Sequence, residues 1–292
     1  MTVPEVASFD ELRPSLLAVA YRMLGSASDA EDVVQEAWLR WQRVAPGSVD
    51  NPAAWLTTTT ARLALDRLRA VARRRESYVG PWLPEPISTD PDPERSSELA
   101  ESLTLAFLCL LDRLGPVERT VFLLADVFDE PYRTIAGVVG RSEAACRQIA
   151  SRARRRVRDG APPQSDDADP AVLARLVAAV SAGDVPVVVS LLDPAVRLVS
   201  DGGAHHHAAR RPVIGPQRVA RLLVNLVRRA GRTPDVDIRP VLLNDQWGLV
   251  CRDGTGHLYT FTAQTEGGRV HHIQIVVNPD KLRHLDRPVT LR

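Results

Sequence analysis

Apolar residues recur at helical spacing through the first 160 positions of this chain. The first run covers roughly residues 9–25 and keeps its apolar positions three and four residues apart. Ser8 and Glu11 form a capping-box pattern before this run, and Gly25 lies at its end. The pattern therefore predicts an amphipathic helix that begins near Ser8 and ends at Gly25.

Two more helices are predicted between residues 28 and 75. Ser28 and Glu31 repeat the capping box before a helix whose outer face is acidic and amide-bearing. Asn51 followed by Pro52 is a typical helix start, because Asn caps free N–H groups and Pro needs no N–H partner at the first position. The acidic face fits either a surface that complements the helix dipole or a docking face for a partner.

A pair of helices is predicted on the two sides of Gly140, after helices at about 97–113 and from Pro116. Pro131 can open the first helix of the pair, Gly140 permits a sharp turn at positive φ, and Ser142 can cap the second. The second helix carries one apolar stripe, formed by Cys146, Ile149, Ala150, Ala153 and Val157. This arrangement is typical of a helix-turn-helix whose second helix enters the major groove of DNA. A plain helical hairpin with a solvated arginine face is the alternative.

The pattern changes after residue 169. Helices are predicted at 170–182, 185–192 and 216–230, the last with a basic edge, and a strand at 195–200. Four strand-like runs follow, near 235–243, 247–252, 257–264 and 269–277, with glycine-bearing hairpin turns between the last three. Helices followed by an antiparallel meander predict an α+β domain with a curved antiparallel sheet around a hydrophobic interior or pocket.

Two stretches lack any such periodicity. Residues 76–95 contain five prolines and predict an extended linker, yet Tyr78, Trp82 and Leu83 suggest that it lies against another part of the protein. Residues 161–169 predict a second, polar linker. The linkers divide the chain into domains at 1–75, 96–160 and 170–292.

Charge is unevenly distributed, although the formal net charge is only +1. The stretch from Arg141 to Arg158 holds seven arginines and one glutamate, and that from Arg62 to Arg75 holds six arginines and one aspartate. Two separate basic helices suggest two contacts with one nucleic acid. Lys281 is the only lysine among 37 basic residues, which suggests a GC-rich coding bias. The use of arginine rather than lysine is therefore not by itself evidence of nucleic-acid binding.

Other site types find little support in the sequence. Cys109, Cys146 and Cys251 are odd in number and widely spaced, which suits neither a disulfide framework nor a zinc site. The run from His205 to His207 lacks an accompanying carboxylate or cysteine cluster, so no metal and no cofactor is expected. The absence of a long apolar run and of a signal sequence leads us to expect a cytoplasmic protein without membrane partners.

The first 160 residues resemble the bacterial extracytoplasmic-function (ECF) RNA polymerase sigma factors. The likeness is carried by DAEDVVQEAWLRW at 29–41, NPAAWLTTTTARLALDRLR at 51–69, YVGPWLPEP at 78–86 and the helix-turn-helix. The C-terminal part is similar to the SnoaL-like domain fused to the SigJ-like subfamily, whose NPDKL motif is here residues 278–282. The resemblance implies two all-α sigma domains followed by an α+β SnoaL-like domain.

The resemblance also implies a function and assigns residues to it. Such a protein directs core RNA polymerase to promoter DNA, assists promoter melting, and catalyses no covalent chemistry. Polymerase would be bound by Asp29, Asp32, Gln35 and Glu36. The minus-10 promoter element would be bound by Asn51, Arg62, Arg69 and Arg73. The minus-35 element would be read by Arg141, Ser142, Glu143, Arg147, Gln148, Ser151 and Arg154.

The C-terminal domain is expected to regulate polymerase engagement in cis, with a small-molecule ligand as a further expected partner. The subfamily's DGGGK-like loop is here Asp201 to His205, in which histidine replaces the lysine. The regulatory contact would be made by Asp201, Gly202, Gly203, Asn278, Pro279, Asp280 and Lys281.

Two alternatives from other functional classes remain at this point. A ligand-sensing repressor or activator would bind palindromic DNA as a dimer, without polymerase. A small-molecule isomerase or cyclase would use Asp201, His257, His271 or His272 as acid/base groups of the C-terminal domain.

Overall fold

The computed structural model describes residues 6–45, 47–75, 78–89, 103–160, 169–204, 206–230 and 237–286. These residues form two compact units. The first unit holds the described residues up to 75 and those from 103 to 160. The second holds residues 78–89 together with 169–286, so the predicted first linker belongs to the same unit as the C-terminal domain.

The first unit begins with three helices, α1 (Val6–Leu24), α2 (Ala27–Trp41) and α3 (Pro52–Arg75). Their shared core includes Leu16, Tyr21, Met23, Val34, Ala37, Leu56, Ala64 and Leu65, all almost completely buried. Gly25 ends α1 at a φ of 66°, as predicted. Asn51 caps α3 through a 3.0 Å hydrogen bond from the Ala54 N–H to its Oδ1.

The predicted capping boxes of α1 and α2 are wrong. Helix α1 starts at Val6, which places Ser8 inside the helix. Helix α2 is capped by Ser26, whose Oγ accepts from the Asp29 N–H, whereas Ser28 lies within the first turn. A serine directly after the left-handed Gly25 is already positioned to cap the next helix, so the earlier of the two serines takes that position.

The remaining helices of this unit are α4 (Leu105–Leu111), α5 (Pro116–Phe122), α6 (Tyr132–Val139) and α7 (Glu143–Gly160). Helix α4 starts after its cap Thr104, later than predicted; residues 97–102 of the predicted helix lie outside the described residues. Helix α5 has Pro116 in its first turn and continues as a π-helical turn, Leu123–Val127. Gly140 has a φ of 68° and joins α6 to α7.

The second unit packs three helices on a sheet. The helices are α8 (Pro170–Ala182), α9 (Val185–Leu191) and α10 (Pro216–Ala230). The strands are β1 (Leu192–Asp201), β2 (Val213–Ile214), β3 (Asp237–Leu243), β4 (Gln246–Arg252), β5 (Leu258–Glu266) and β6 (Arg269–Val276). The hydrophobic core lies between the helices and strands β1, β5 and β6, around Leu176, Val188, Leu198, Val219 and Ile273.

The sheet is mixed rather than purely antiparallel, which corrects the predicted fold class in this detail. Its strand order is β2-β1-β6-β5-β4-β3. Strands β3 to β6 form the predicted antiparallel meander, but β1 pairs with β6 in parallel, with Leu198 beside Ile273. Helix α10 and strands β3 to β5 lie between β1 and β6 in the sequence. This connection is long enough for β6 to run either parallel or antiparallel to β1.

Candidate nucleic-acid interface and linker anchor

Helix α7 presents a polar face because its other face is buried. Cys146, Ala150 and Ala153 are 0% exposed, and Ser142 caps the helix by accepting from the Ala145 N–H at 3.2 Å. The predicted minus-35 residues are therefore on the outer side: Arg141, Ser142, Arg147, Gln148, Ser151 and Arg154 are exposed, and Glu143 is half-buried. The structure thus brings all seven together along one helix face and its N-terminus.

Neighbouring residues orient two of the arginines on this face. The Arg147 guanidinium is 2.9 Å from the Glu143 carboxylate and lies over the Tyr132 ring, 5.2 Å from its centroid. Arg154 donates to the Asp126 carboxylate at 2.7 Å and to the Tyr132 hydroxyl at 3.3 Å. Such contacts reduce side-chain freedom and hold the donors in fixed directions, which suits a surface that reads a rigid groove.

The four predicted polymerase-binding residues of α2 differ in their environments. Asp32, Gln35 and Glu36 are exposed, and Glu36 pairs with Arg40 one turn later at 2.6 Å. Asp29 is half-buried and accepts a 2.8 Å hydrogen bond from Arg67 Nε of α3. Arg67 was missed in the sequence, although its position away from the α3 face of Arg62 and Arg69 indicates a separate partner.

The predicted minus-10 residues differ in how far their side chains are engaged in contacts within the protein. Asn51 is exposed and caps α3. Arg69 pairs with Asp66 at 3.0 Å, and the side chain of Arg73 lies outside the described residues. Arg62 donates from Nη2 (2.7 Å) and Nε (3.2 Å) to the carbonyl oxygen of Gly137 in α6. The helix-turn-helix therefore engages a predicted DNA-binding arginine of α3.

A buried arginine strengthens this contact between the two halves of the first unit. Arg119 of α5 is 1% exposed and donates to the carbonyl oxygen of Arg22 in α1, at 2.9 Å from Nη2 and 3.3 Å from Nε. Its Nη1 is 2.8 Å from Asp112. Arg119 was also missed in the sequence, where its place one helical turn before Phe122 and Leu123 is the signal of a core-facing position.

In the second unit, Asp201 at the end of β1 anchors the first linker. Its carboxylate is 0% exposed and accepts hydrogen bonds from the Tyr78 hydroxyl (2.6 Å), the Leu83 N–H (2.8 Å) and the Gly203 N–H (3.0 Å). The Lys281 ammonium lies 2.7 Å from the same carboxylate. A buried carboxylate with four donors, one of them charged, meets the requirement for keeping its charge away from water.

Lys281 joins the NPDKL segment to the same linker. Its ammonium also donates to the Leu83 carbonyl and lies 3.9 Å from the centroid of the Trp82 ring and 5.1 Å from that of Tyr78. Burial raises the pKa of the Tyr78 hydroxyl, and its hydrogen bond to Asp201 raises it further. Asn278 donates to the Tyr78 hydroxyl at 2.9 Å.

Asn244, which was not singled out in the sequence, holds the other end of the linker. The Ile87 N–H donates to Asn244 Oδ1 at 3.0 Å, and the Asn244 N–H donates to the Ile87 carbonyl at 2.9 Å. Thr89 adds a backbone bond to Leu242 at 2.9 Å. Asn244 and Asp245 both have positive φ, so the dipeptide Asn-Asp between two strand-like runs is the turn signal that could have located this site.

The remaining predicted regulatory residues support this anchor through the backbone. A Cβ on Gly202 would lie 2.4 Å from the His206 carbonyl oxygen, and Gly203 has a φ of 59° with the Asn278 amide 2.7 Å from a Cβ position. Pro279 opens a short helical turn capped by Asn278, and Asp280 is exposed and pairs with Arg283. Asp201, Asn278 and Lys281 are thus the three whose side chains contact the linker.

A small pocket of about 120 Å³ lies beside the anchor. It is lined by the linker residues Val79, Gly80 and Pro81 on one side and by the loop after β1 on the other. This second wall consists of Ser200 in β1 and of the loop residues Gly202, Gly203, Ala204 and His206 to Arg210. The pocket would lose one of these two walls if the linker left the domain.

The residues proposed for acid/base chemistry are not brought together. His257 lies in the β4–β5 connection, and His271 and His272 are adjacent on β6, so their side chains point to opposite faces. Burial lowers the pKa of His272 to about 4, and the neighbouring Arg197 charge contributes. Among the described residues no group of three or more His, Cys, Asp or Glu side chains could hold a metal ion. His205 lies outside the described residues.

A membrane-spanning helix is also absent from the described parts of the chain: none of their helices is both long enough and apolar enough to cross a bilayer.

Comparisons with known proteins agree with this architecture. The family model of Sigma-70 region 2 matches residues 9–75, and that of Sigma-70 region 4 matches residues 104–157. The chain is 47% identical over 234 residues to the ECF RNA polymerase sigma factor SigJ of Mycobacterium tuberculosis, covering 78% of this chain and 74% of the relative. It is 37% identical over 198 residues to the probable ECF sigma factor SigI of the same species, covering 66% and 68%.

A solved structure resembles nearly the whole chain. The crystal structure of Mycobacterium tuberculosis SigJ superposes with a TM-score of 0.76 at 38% identity and covers 96% of this chain and 98% of that one. Two helical sigma domains followed by an α+β domain are therefore common to both. The chain belongs to the family of extracytoplasmic-function RNA polymerase sigma factors.

Proposed function

We propose that this sigma factor, which acts in transcription initiation, is regulated in cis by its C-terminal α+β domain through the linker 78–89. Sigma factors are transcription regulators rather than classical enzymes, and membership of the family implies interaction with RNA polymerase and promoter DNA. The observation that carries the proposal is the buried Asp201 carboxylate, which binds Tyr78, Leu83 and Lys281 at once.

The anchored linker lies in the chain between regions 2 and 4. Only residues 76 and 77 separate α3 from Tyr78. Both regions must engage one promoter, so the freedom of the segment that joins them limits the arrangements they can adopt. Residues 78–89 are tied to the C-terminal domain at Asp201 and at Asn244, which restricts the part of the connection that they form.

The contact between Arg62 and Gly137 supports a closed resting state. Arg62 is a predicted minus-10 residue, and here its guanidinium donates to the helix-turn-helix. Binding of the minus-10 element by Arg62 requires that this contact be exchanged for DNA. We therefore expect release of the linker to favour the open, promoter-competent state.

The assignment of individual residues to polymerase and DNA is part of the proposal. The exposed Asp32, Gln35 and Glu36 would dock on polymerase, with Asp29 positioned by Arg67. Arg147→Ala is expected to weaken minus-35 recognition about tenfold, a typical loss for one base contact, while polymerase binding stays intact. Asp32→Arg/Glu36→Arg is expected to abolish capture of core polymerase. Equal loss of both activities in Arg147→Ala contradicts the assignment.

The pocket beside the anchor is where we place a small-molecule ligand. Its 120 Å³ is well below the roughly 300–1,000 Å³ of common ligand pockets, so a ligand of a few heavy atoms fits without rearrangement. Since Val79 to Pro81 form one wall, a larger ligand binds only if the linker moves. Binding of such a ligand would therefore shift the linker towards its released state.

The double variant Asp201→Asn/Lys281→Met tests regulation through the linker. It removes the ion pair without leaving an unpaired buried charge. The matched control is Asp237→Asn/Arg239→Met, which removes an exposed pair of the same domain. Chymotryptic cleavage after Tyr78 or Trp82 reports linker release, and run-off transcription with core polymerase reports activity.

The expected result is faster linker cleavage and a higher yield of promoter-dependent transcript in the anchor variant, with the control like the wild type. A released linker with an unchanged or lower transcript yield would show that the anchor does not restrain initiation.

A further inference from the structure

The C-terminal domain carries a basic surface that neither the linker anchor nor the sigma regions use. Helix α10 contains four arginines and no acidic residue in its fifteen positions. The wider segment 202–234 contains seven arginines and no aspartate or glutamate. A merely solvated helix usually mixes its signs, so this composition indicates an anionic partner.

The arginines lie on the outer side of α10. Val219, Ala220, Leu223 and Val224 are buried in the domain core. The four arginines of the helix are exposed: Arg218, Arg221, Arg228 and Arg229. The last three follow Arg218 by three, ten and eleven positions, which places all four within one arc of the helix surface. We call these four residues the α10 arginine face.

Some other exposed arginines of the domain have acidic partners. Elsewhere, Arg239 pairs with Asp237 and Arg283 with Asp280. None of the ion pairs among the described residues of this domain involves the α10 arginine face. Its four charges are therefore available to a partner. Along the helix axis, Arg218 and Arg229 are about 16 Å apart.

We propose that the α10 arginine face binds the phosphate backbone of the DNA duplex that this sigma factor engages. Duplex DNA presents one negative charge per about 1.7 Å of its axis, so a 16 Å row of guanidinium groups meets several phosphates. Contacts between arginines and phosphates carry charge rather than sequence information. The C-terminal domain then adds affinity to promoter recognition by regions 2 and 4, independently of the linker anchor.

The triple variant Arg218→Gln/Arg221→Gln/Arg229→Gln of the full chain tests this proposal. Binding of a labelled promoter duplex and of a non-promoter duplex is measured by fluorescence anisotropy between 50 and 200 mM salt. The control, Arg175→Gln/Arg239→Gln/Arg269→Gln, changes net charge equally at scattered exposed positions. A second variant replaces the same three α10 arginines by lysine.

The glutamine variant is expected to bind both duplexes at least about tenfold more weakly at 50 mM salt, and its log–log salt slope should fall by about 2 to 3. The lysine variant should keep both properties, because ammonium groups also neutralise phosphate. An equal loss of DNA affinity in the control variant would show that the effect comes from net charge alone, and it would overturn the proposal. Unchanged DNA binding with weaker capture of core polymerase would overturn it in favour of an acidic protein surface.

Discussion

In each unit of this sigma factor a buried cation ties two chain segments together, and the counter-ions of these two cations differ in their exposure to water. Arg119 joins region 4 to the Arg22 carbonyl, and its counter-ion Asp112 keeps 27% of its side chain exposed. Lys281 joins the NPDKL segment to the linker, and its counter-ion Asp201 is completely buried. Water can replace a lost cation at Asp112 but not at Asp201. Loss of the cation is therefore expected to cost more stability at Asp201 than at Asp112.

Replacing Lys281 by Met gives the largest expected effect. The variant leaves the Asp201 carboxylate buried with neutral donors only, which is expected to destabilise the second unit by about 3 to 5 kcal/mol. Hydrogen exchange during urea unfolding measures each unit separately, because a two-unit chain does not unfold in one step. Adding Asp201→Asn should restore part of the loss. A double variant no better than Lys281→Met would mean that lost packing, rather than the unpaired charge, is responsible.

Arg119→Lys is expected to have the next largest effect. Lysine keeps the charge but lacks the planar fork that reaches the Arg22 carbonyl and Asp112 together. Loss of these bonds should destabilise the first unit by about 2 to 3 kcal/mol in the same unfolding measurement. The exposed Arg113→Lys serves as the matched control. Equal stability of Arg119→Lys and wild type would show that one hydrogen bond at this position suffices.

His272 is a partly buried base of the second unit, and its charged neighbour is Arg197 rather than a carboxylate. Burial and that charge lower its pKa to about 4, against about 6.5 in the unfolded chain. Between these values the unfolded state binds more protons, so stability falls as pH falls from 6.5 towards 4. The loss at pH 5 relative to pH 7 should be on the order of 2 kcal/mol.

Urea unfolding of wild type and His272→Gln at pH 7 and pH 5 measures this contribution. The variant should lose less stability than the wild type over that interval. Identical pH dependence in His272→Gln and wild type would mean that His272 does not titrate as its environment indicates.

The regular elements were largely predictable because their signals are local. Gly140, Ser142 and the apolar stripe from Cys146 to Val157 specify a helix-turn-helix within thirty residues, and the structure confirms it. Where two local signals compete, the pattern fails: Ser26 and Ser28 both precede acidic residues, and the preceding left-handed Gly25 decides between them.

The long-range contacts were not predictable from periodicity. The parallel pairing of β1 with β6 depends on how α10 and the meander return the chain, which no local pattern encodes. The roles of Arg67, Arg119 and Asn244 depend on partners 38 to 157 positions away in sequence. The unusual aromatic residues of the linker indicated a contact, and the family resemblance named Asp201 and Lys281 for a regulatory contact, but only the fold shows that these two residues bind the linker.

Tyr78→Phe gives the smallest expected effect and separates the neutral part of the anchor from its charged part. Phenylalanine keeps a ring near the Lys281 ammonium and removes only the hydroxyl that binds Asp201 and Asn278. One neutral donor to a charged acceptor should contribute about 1 to 2 kcal/mol to the stability of the second unit.

Because Lys281 still neutralises Asp201 in Tyr78→Phe, chymotryptic cleavage after Trp82 should increase less than in Asp201→Asn/Lys281→Met. Cleavage as fast as in that double variant would show that the hydroxyl, not the ion pair, holds the linker. The ranking of the two variants therefore decides whether the linker is held mainly by the neutral hydroxyl of Tyr78 or by the buried pair of Asp201 and Lys281.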